Sequence, residues 1–185
     1  LTLDPPVSGT FRWMGTSTLN FIPAAPLAYG TRYVATVNAP INAISGETMA
    51  KDYSFSFVTP RPQVADMFPY QEMDQTILEQ PIYLRFNQPV EPAALEKFIT
   101  LSGEKGQKTP ITITRPDKED VEKSDVYWLE VGKEDQIKIL PTAPLTMETW
   151  HALKLKAGLP GKGGALGMEQ PFELKFKTYN HFRVD

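Results

Sequence analysis

"LNFIPAAPLAYGTRYVATV" (Leu19–Val37) and "IKILPTAPLTMETWHALKL" (Ile137–Leu155) decide the fold, because they state one pattern twice. Leu19, Phe21, Pro23 and Ala25-Pro26-Leu27 answer to Ile137, Ile139, Pro141 and Ala143-Pro144-Leu145. Thr31 and Thr149 then open a second alternating run, Tyr33, Ala35 and Val37 against His151, Leu153 and Leu155. Apolar residues two apart line one face of a strand, since side chains alternate across the pleat. Proline has no N–H for a ladder, so Pro23 and Pro141 are predicted to end their strands, with Pro26 and Pro144 in the turns.

The match resumes after one insertion, where Tyr53, Phe55, Phe57 and Thr59 align with Phe172, Leu174, Phe176 and Thr178. A glycine turn precedes each run, at Ser45-Gly46 and Gly163-Gly164. Three matching strands at near-constant spacing indicate a tandem duplication. The second copy has a long lead-in: Val64 to Phe68, Ile82 to Phe86, and "QPVEPAALEKFITL". Within it Pro92 suits the first turn of a short helix, where a missing N–H costs nothing. Ile99-Thr100-Leu101 matches Leu1-Thr2-Leu3. In that register the first copy lacks its opening strands. Either the stretch begins inside a module, or residues ahead of Leu1 supply them, and an open sheet edge invites pairing with another chain.

Short strands, regular turns and period-two alternation predict an all-β fold of two tandem immunoglobulin-like β-sandwiches, each burying an aromatic face. The expected modules are residues 1–62, the C-terminal part of one sandwich, and residues 63–185, a second. "TPRPQV" (Thr59–Val64) is the expected linker, stiff and extended through its prolines. The charged stretch "RPDKEDVEKSDVYWLEVGKEDQ" has no counterpart in the first copy. There Asp117 is expected to cap a short helix through Val121 to Lys123, with Tyr127, Trp128 and Leu129 packing the excursion back.

Composition narrows the functions. Of 185 residues, 41% are hydrophobic and 11% aromatic, enough for packed cores. Seventeen prolines and twelve glycines, scattered between apolar runs, fit many turns. A net charge of −3 argues against nucleic acid, which wants a basic face. No apolar stretch is long enough for a membrane span. The absence of cysteine excludes disulfides, thiolate metal sites and thiol nucleophiles within these residues, and fits the cytosol and the periplasm alike. The chain starts without Met, so residue 1 reads as a boundary with any export signal upstream.

No chemistry assembles. His151 and His181 stand alone, without a ligand or catalytic partner nearby in sequence, and read as a half-buried strand residue and a tail residue. Asp117, Glu119, Asp120, Glu122 and Asp125 lack the fixed spacing and glycine of a calcium loop and read as a solvated face. "GLPGKGGALG" (Gly158–Gly167) is a strand-to-strand loop, and Lys162 lacks the context of a phosphate-binding loop. There is no GxSxG elbow. Trp13, Trp128 and Trp150 would form a sugar-stacking platform only on a shared exposed face; strand tryptophans are more often packing residues. The expectation is a non-enzyme with no catalytic, cofactor-binding or metal residues and no cofactor.

"GTFRWMGTSTLNFIPAAPLAYGTRYVATV", "SGETMAKDYSFSFVTPRPQV", "IYLRFNQPVEPAALEKFITL" and "FELKFKTYNHFRV" together resemble the N-terminal tandem modules of bacterial alpha-2-macroglobulins. The single modules are also similar to the broader bacterial Ig-like class of surface proteins. The macroglobulin resemblance implies a large exported protease trap, periplasmic or in the cell envelope and often lipid-anchored. In that family a cleaved bait region triggers caging of the protease, and many members carry a Cys–Gln thioester. With no cysteine here, no thioester residue transfers to this sequence. The implied role is scaffold: its partners are neighbouring macroglobulin domains and, through the parent protein, target proteases, with no nucleic acid and no membrane insertion by this segment. The alternatives are an Ig-like spacer of another surface protein and a carbohydrate-binding accessory domain.

Overall fold

The computed structural model describes residues 1–181. It divides into two compact units, Leu1–Pro60 and a second that starts at Arg61, against the sequence-based boundary at 62. The first unit contains β1 (Thr2–Asp4), β2 (Gly9–Met14), β3 (Thr18–Pro23), β4 (Arg32–Val37), β5 (Ile41–Asn42), β6 (Thr48–Met49) and β7 (Tyr53–Val58). The second opens with β8 (Val64–Phe68), β9 (Met73–Thr76), β10 (Ile82–Phe86) and one helical turn, α1 (Pro92–Leu95). It continues with β11 (Ile99–Gly103), β12 (Lys108–Thr109), β13 (Ile111–Thr114), α2 (Lys118–Lys123), β14 (Gln136–Pro141), β15 (Trp150–Leu155) and β16 (Phe172–Thr178).

The second unit is a two-sheet sandwich. One sheet runs β13-β14-β10-β8 and the other β12-β11-β15-β16-β9, antiparallel except that β9 pairs parallel to β16. Alternate residues of both sheets meet in one core, including Ile82, Leu84 and Phe86 of β10 and Ile137 and Ile139 of β14. Leu153, Leu155, Leu174 and Phe176 face them from the other sheet. All nine are at most 1% exposed.

The duplication survives at the level of single hydrogen bonds. Tyr33 stands opposite Phe57 across β4–β7, and His151 opposite Phe176 across β15–β16. Their rings stack at 5.5 Å and 5.7 Å respectively. Leu3 faces Ala35 as Leu101 faces Leu153, so the register inferred from Leu1-Thr2-Leu3 and Ile99-Thr100-Leu101 is the paired one. At the corner, the Thr59 hydroxyl donates to the Ala28 carbonyl (2.7 Å) and accepts from the Thr31 N–H (2.9 Å). The Thr178 hydroxyl donates to the Thr146 carbonyl (2.6 Å) and accepts from the Thr149 N–H (3.2 Å). The corner also needs a left-handed residue. Gly30 (φ 54°) serves in the first unit, and Glu148 (φ 52°) takes the same conformation without glycine's freedom.

Where the units differ is coverage. The first has the sheet β1-β4-β7 and the hairpin β2-β3, equivalent to β11-β15-β16 and β13-β14. Among the described residues nothing stands in for β8, β9 or β10. The expectation that each module buries its aromatic face therefore holds only in the second. Tyr33 and Ala35 are buried in the first unit, but Phe55 is 47% exposed and Phe57 only half-buried.

Candidate functional site

The densest polar cluster lies on the excursion between β13 and β14. Asp117 caps α2, accepting from the Asp120 N–H (3.0 Å), while the Asp120 side chain accepts from the Asp117 N–H (2.9 Å). This is the predicted cap, closed into a reciprocal box. Asp120 is not the solvated residue expected from its charged neighbours: it is 8% exposed. Its carboxylate accepts from the Tyr83 hydroxyl (2.8 Å) and the Lys138 ammonium (2.6 Å). Burial alone would raise the carboxyl's pKa, but Lys138, the Asp117 N–H and Tyr83 outweigh it and hold it below the usual value. Burial, and then the Asp120 carboxylate, push the Tyr83 phenol well above its ordinary value.

An open hollow of about 510 Å³ adjoins this cluster, lined also by Phe68, Gln80 and Ser124. The chemistry available there is slight. A general acid or base needs a pKa near the working pH, and here the acid is strengthened and the phenol weakened, each away from neutrality. The cluster acts as a staple. It fixes α2 to the sheet, and Val126, Trp128 and Leu129 bury beside Tyr83, as expected for the latter two. Tyr127 does the opposite of what was expected and is 85% exposed.

Arg115 completes the anchoring, a role its sequence context did not announce. Its guanidinium donates to the carbonyls of Glu134 (2.5 Å), Gln136 (3.0 Å) and Val90 (2.6 Å). Gln136 in turn donates to the Trp128 carbonyl (2.9 Å) and accepts from the Glu130 N–H (2.9 Å). Amides and guanidinia that find several carbonyls pin irregular backbone, and no sequence motif encodes such long-range partners.

His151 is buried more deeply than expected, at 3% exposure. One ring nitrogen lies 3.2 Å from the Thr146 carbonyl, and Nδ1 has no hydrogen-bond partner. Burial depresses its pKa, so the neutral ring is favoured. His181 is exposed and donates its backbone N–H to Glu148 (3.0 Å). Among the described residues no group of three or more His, Asp or Glu could hold a metal ion, and no helix is long and apolar enough to cross a membrane.

The glycine-rich loop folds back on itself. A Cβ on Gly167 would collide with the Gly158 carbonyl, and Gly158 has φ 92°. Lys162 is drawn to Glu134 (2.6 Å) and Glu91 (3.7 Å), and β16 rather than a helix follows. A phosphate-binding loop needs N–H groups leading into a helix, and among the described residues no helix follows this loop. Of the tryptophans, Trp128 is buried, and Trp13 and Trp150 belong to different units. A shallow groove of about 690 Å³ beside Trp150 is lined by Lys154, Glu173 and Lys175, which pair among themselves at 3.2 Å and 3.9 Å.

The remaining feature is exposed apolar side chains on the first unit. Phe11 and Trp13 (64% exposed) share one face of the β2-β3 hairpin, Met14 and Ile22 lie on its other face, and Tyr53 (60%) and Phe55 share one face of β7.

Residues 2–59 match the family model described as bacterial Ig-like domain. No curated protein matches the chain. Among solved structures, CopC from Methylosinus trichosporium OB3b aligns over 68% of this chain and 100% of its own, at 13% identity and a TM-score of 0.44. An LD transpeptidase, LdtMt1 in complex with imipenem, aligns over 65% of this chain at 16% identity and a TM-score of 0.39, and the match spans 41% of the transpeptidase. The first unit is thus similar to the bacterial Ig-like domain along nearly its whole length.

Proposed function

We propose that the chain is a non-catalytic Ig-like scaffold within an exported bacterial protein, and that this protein is a protease trap of the alpha-2-macroglobulin kind. One observation carries the scaffold reading. The same strand register and threonine corner are built twice, and the polar cluster at Asp120 is consumed in holding backbone. A repeated module of that sort spaces and presents other parts. The finer reading rests on the macroglobulin-like motifs. A spacer of another surface protein has the same module physics and fits equally well at the coarser level.

A protease assay separates the layers. Trypsin or elastase acting on a macromolecular substrate is expected to stay fully active with excess 185-residue chain, and strong inhibition would overturn the scaffold reading. The intact parent protein is expected to protect that large substrate while leaving a small chromogenic substrate cleavable. A parent that protects neither leaves a spacer and removes the trap. Export is read independently, from recovery of the parent in the cell-envelope fraction rather than the cytosol.

A further inference from the structure

The outer face of the five-stranded sheet carries a trough. Leu101, Leu153, Leu174 and Phe176 point into the core, so Ser102, Ala152, Glu173 and Lys175 point away from it. Ser102 stands opposite Ala152 and Ala152 opposite Lys175, so one outward row crosses β11, β15 and β16. On one side of that row lies Trp150, opposite Lys177, and on the other Lys154, opposite Glu173. Two small side chains between an indole and a charged pair leave the groove of about 690 Å³. Glu104 lines it beside Trp150, with Oε1 3.4 Å from the Trp150 backbone nitrogen. Glu72 lines it at the β9 side, where its N–H donates to the Lys175 carbonyl (2.7 Å). Glu72 holds a left-handed backbone (φ 61°), which costs a residue that carries a Cβ. Strain of that kind gathers at working sites, and here it sets a carboxylate on the rim.

We propose that this groove binds a neutral saccharide chain. A sugar ring lays its C–H face on an indole and presents hydroxyls that both donate and accept. Trp150 supplies the first surface, and the surrounding carboxylates and ammonium groups supply partners of both kinds. Glu72, Glu104 and Glu173 nearly balance Lys154 and Lys175, so the groove favours neither an anion nor a cation. Exposed Lys–Glu pairs contribute little to stability, so Lys154, Glu173 and Lys175 turn to ligand hydroxyls at small cost. An extended peptide is the poorer occupant. Peptides add to sheets at free edges, and β11, β15 and β16 each have a strand on both sides. An apolar ligand would meet Trp150 and Ala152 but strand its flanks against charge. The site is separate from the protease-trap reading, and either can fail alone.

The probes are cellotetraose, chitotetraose and maltotetraose, each titrated into the 185-residue chain and followed by residue-resolved NMR. At least one is expected to shift the Trp150 indole N–H and the Ser102, Ala152 and Lys175 amides saturably, with Kd on the order of millimolar. Trp150→Ala is expected to weaken that binding by at least about tenfold. If loss of the ring disturbs β15, Ala152→Gln fills the floor of the trough, leaves the indole in place and is expected to do the same. Glu72→Gly is expected to raise the thermal midpoint by relieving the left-handed backbone, and to weaken binding several-fold; a carboxylate with a purely structural role would leave binding unmoved. No saturable shift at these residues with any of the three sugars overturns the proposal. So do shifts that persist unchanged in Ala152→Gln, which would place the sugar elsewhere.

Discussion

The two units share a sheet register, a threonine corner and a stacked ring pair, yet one closes over its core and the other does not. Phe176 is fully buried and Phe57, in the same ladder position, is half-buried. The difference lies in what arrives on top: β8, β10 and β9 complete the second unit and have no counterparts in the first among the described residues. Local pairing specifies a strand's inward face, while burial, which supplies most of the stability, depends on a separate layer.

That contrast breaks or sharpens under substitution. Phe176→Ala is expected to destabilise the second unit by about 3–5 kcal/mol, as for a fully buried ring, and Phe57→Ala to cost the first only about 1 kcal/mol. Chains of two units need not share one transition, so urea unfolding should be followed unit by unit through amide exchange. Equal costs would show that the first unit is closed in solution. Asp120→Ala, in the excursion between β13 and β14, is expected to cost about 2–4 kcal/mol by opening the capping box at Asp117 and stranding Lys138. The Asp120 contribution has a pH signature. Its carboxyl is held below the ordinary value, so its stabilisation is complete above about pH 4 and is lost as pH falls through the lowered folded-state pKa. An acid-unfolding curve of Asp120→Asn, flatter below that point, checks it.

The smallest effect concerns the ring that replaces Tyr33. His151 is neutral when buried, with a pKa below the unfolded value of 6.5, so the unfolded chain binds more protons between those two values. Stability of the second unit is therefore expected to fall as pH drops below about 6.5, and His151→Tyr to remove that slope. An unchanged slope in the variant would place the titration elsewhere.

The ladders were legible because alternation in Leu19-Phe21 and Ile137-Ile139 is the direct imprint of a pleat, and Asp117 because a cap acts within one turn. Coverage was not legible: a strand reads the same whether or not another layer reaches it, so Phe55 looked as buried as Leu174. Asp120 and Tyr127 were misplaced for a related reason. Neighbouring charges advertise solvent, but Asp120 is buried by Tyr83 and Lys138, both remote in sequence, and Tyr127 sits in a turn that buries Val126, Trp128 and Leu129 and leaves it outside. β9, which adds in parallel, is preceded by a positive-φ residue at Glu72 and holds another at Gln75, residue types that carry no turn signal.

The crossing of Gly167 over Gly158 means that intolerance to change need not signal activity. In a saturation library, position 167 would be a cold spot as severe as a catalytic one, since even one methyl group has nowhere to go. An observer ranking positions by depletion alone would credit that loop with a ligand, when what is being preserved there is only room.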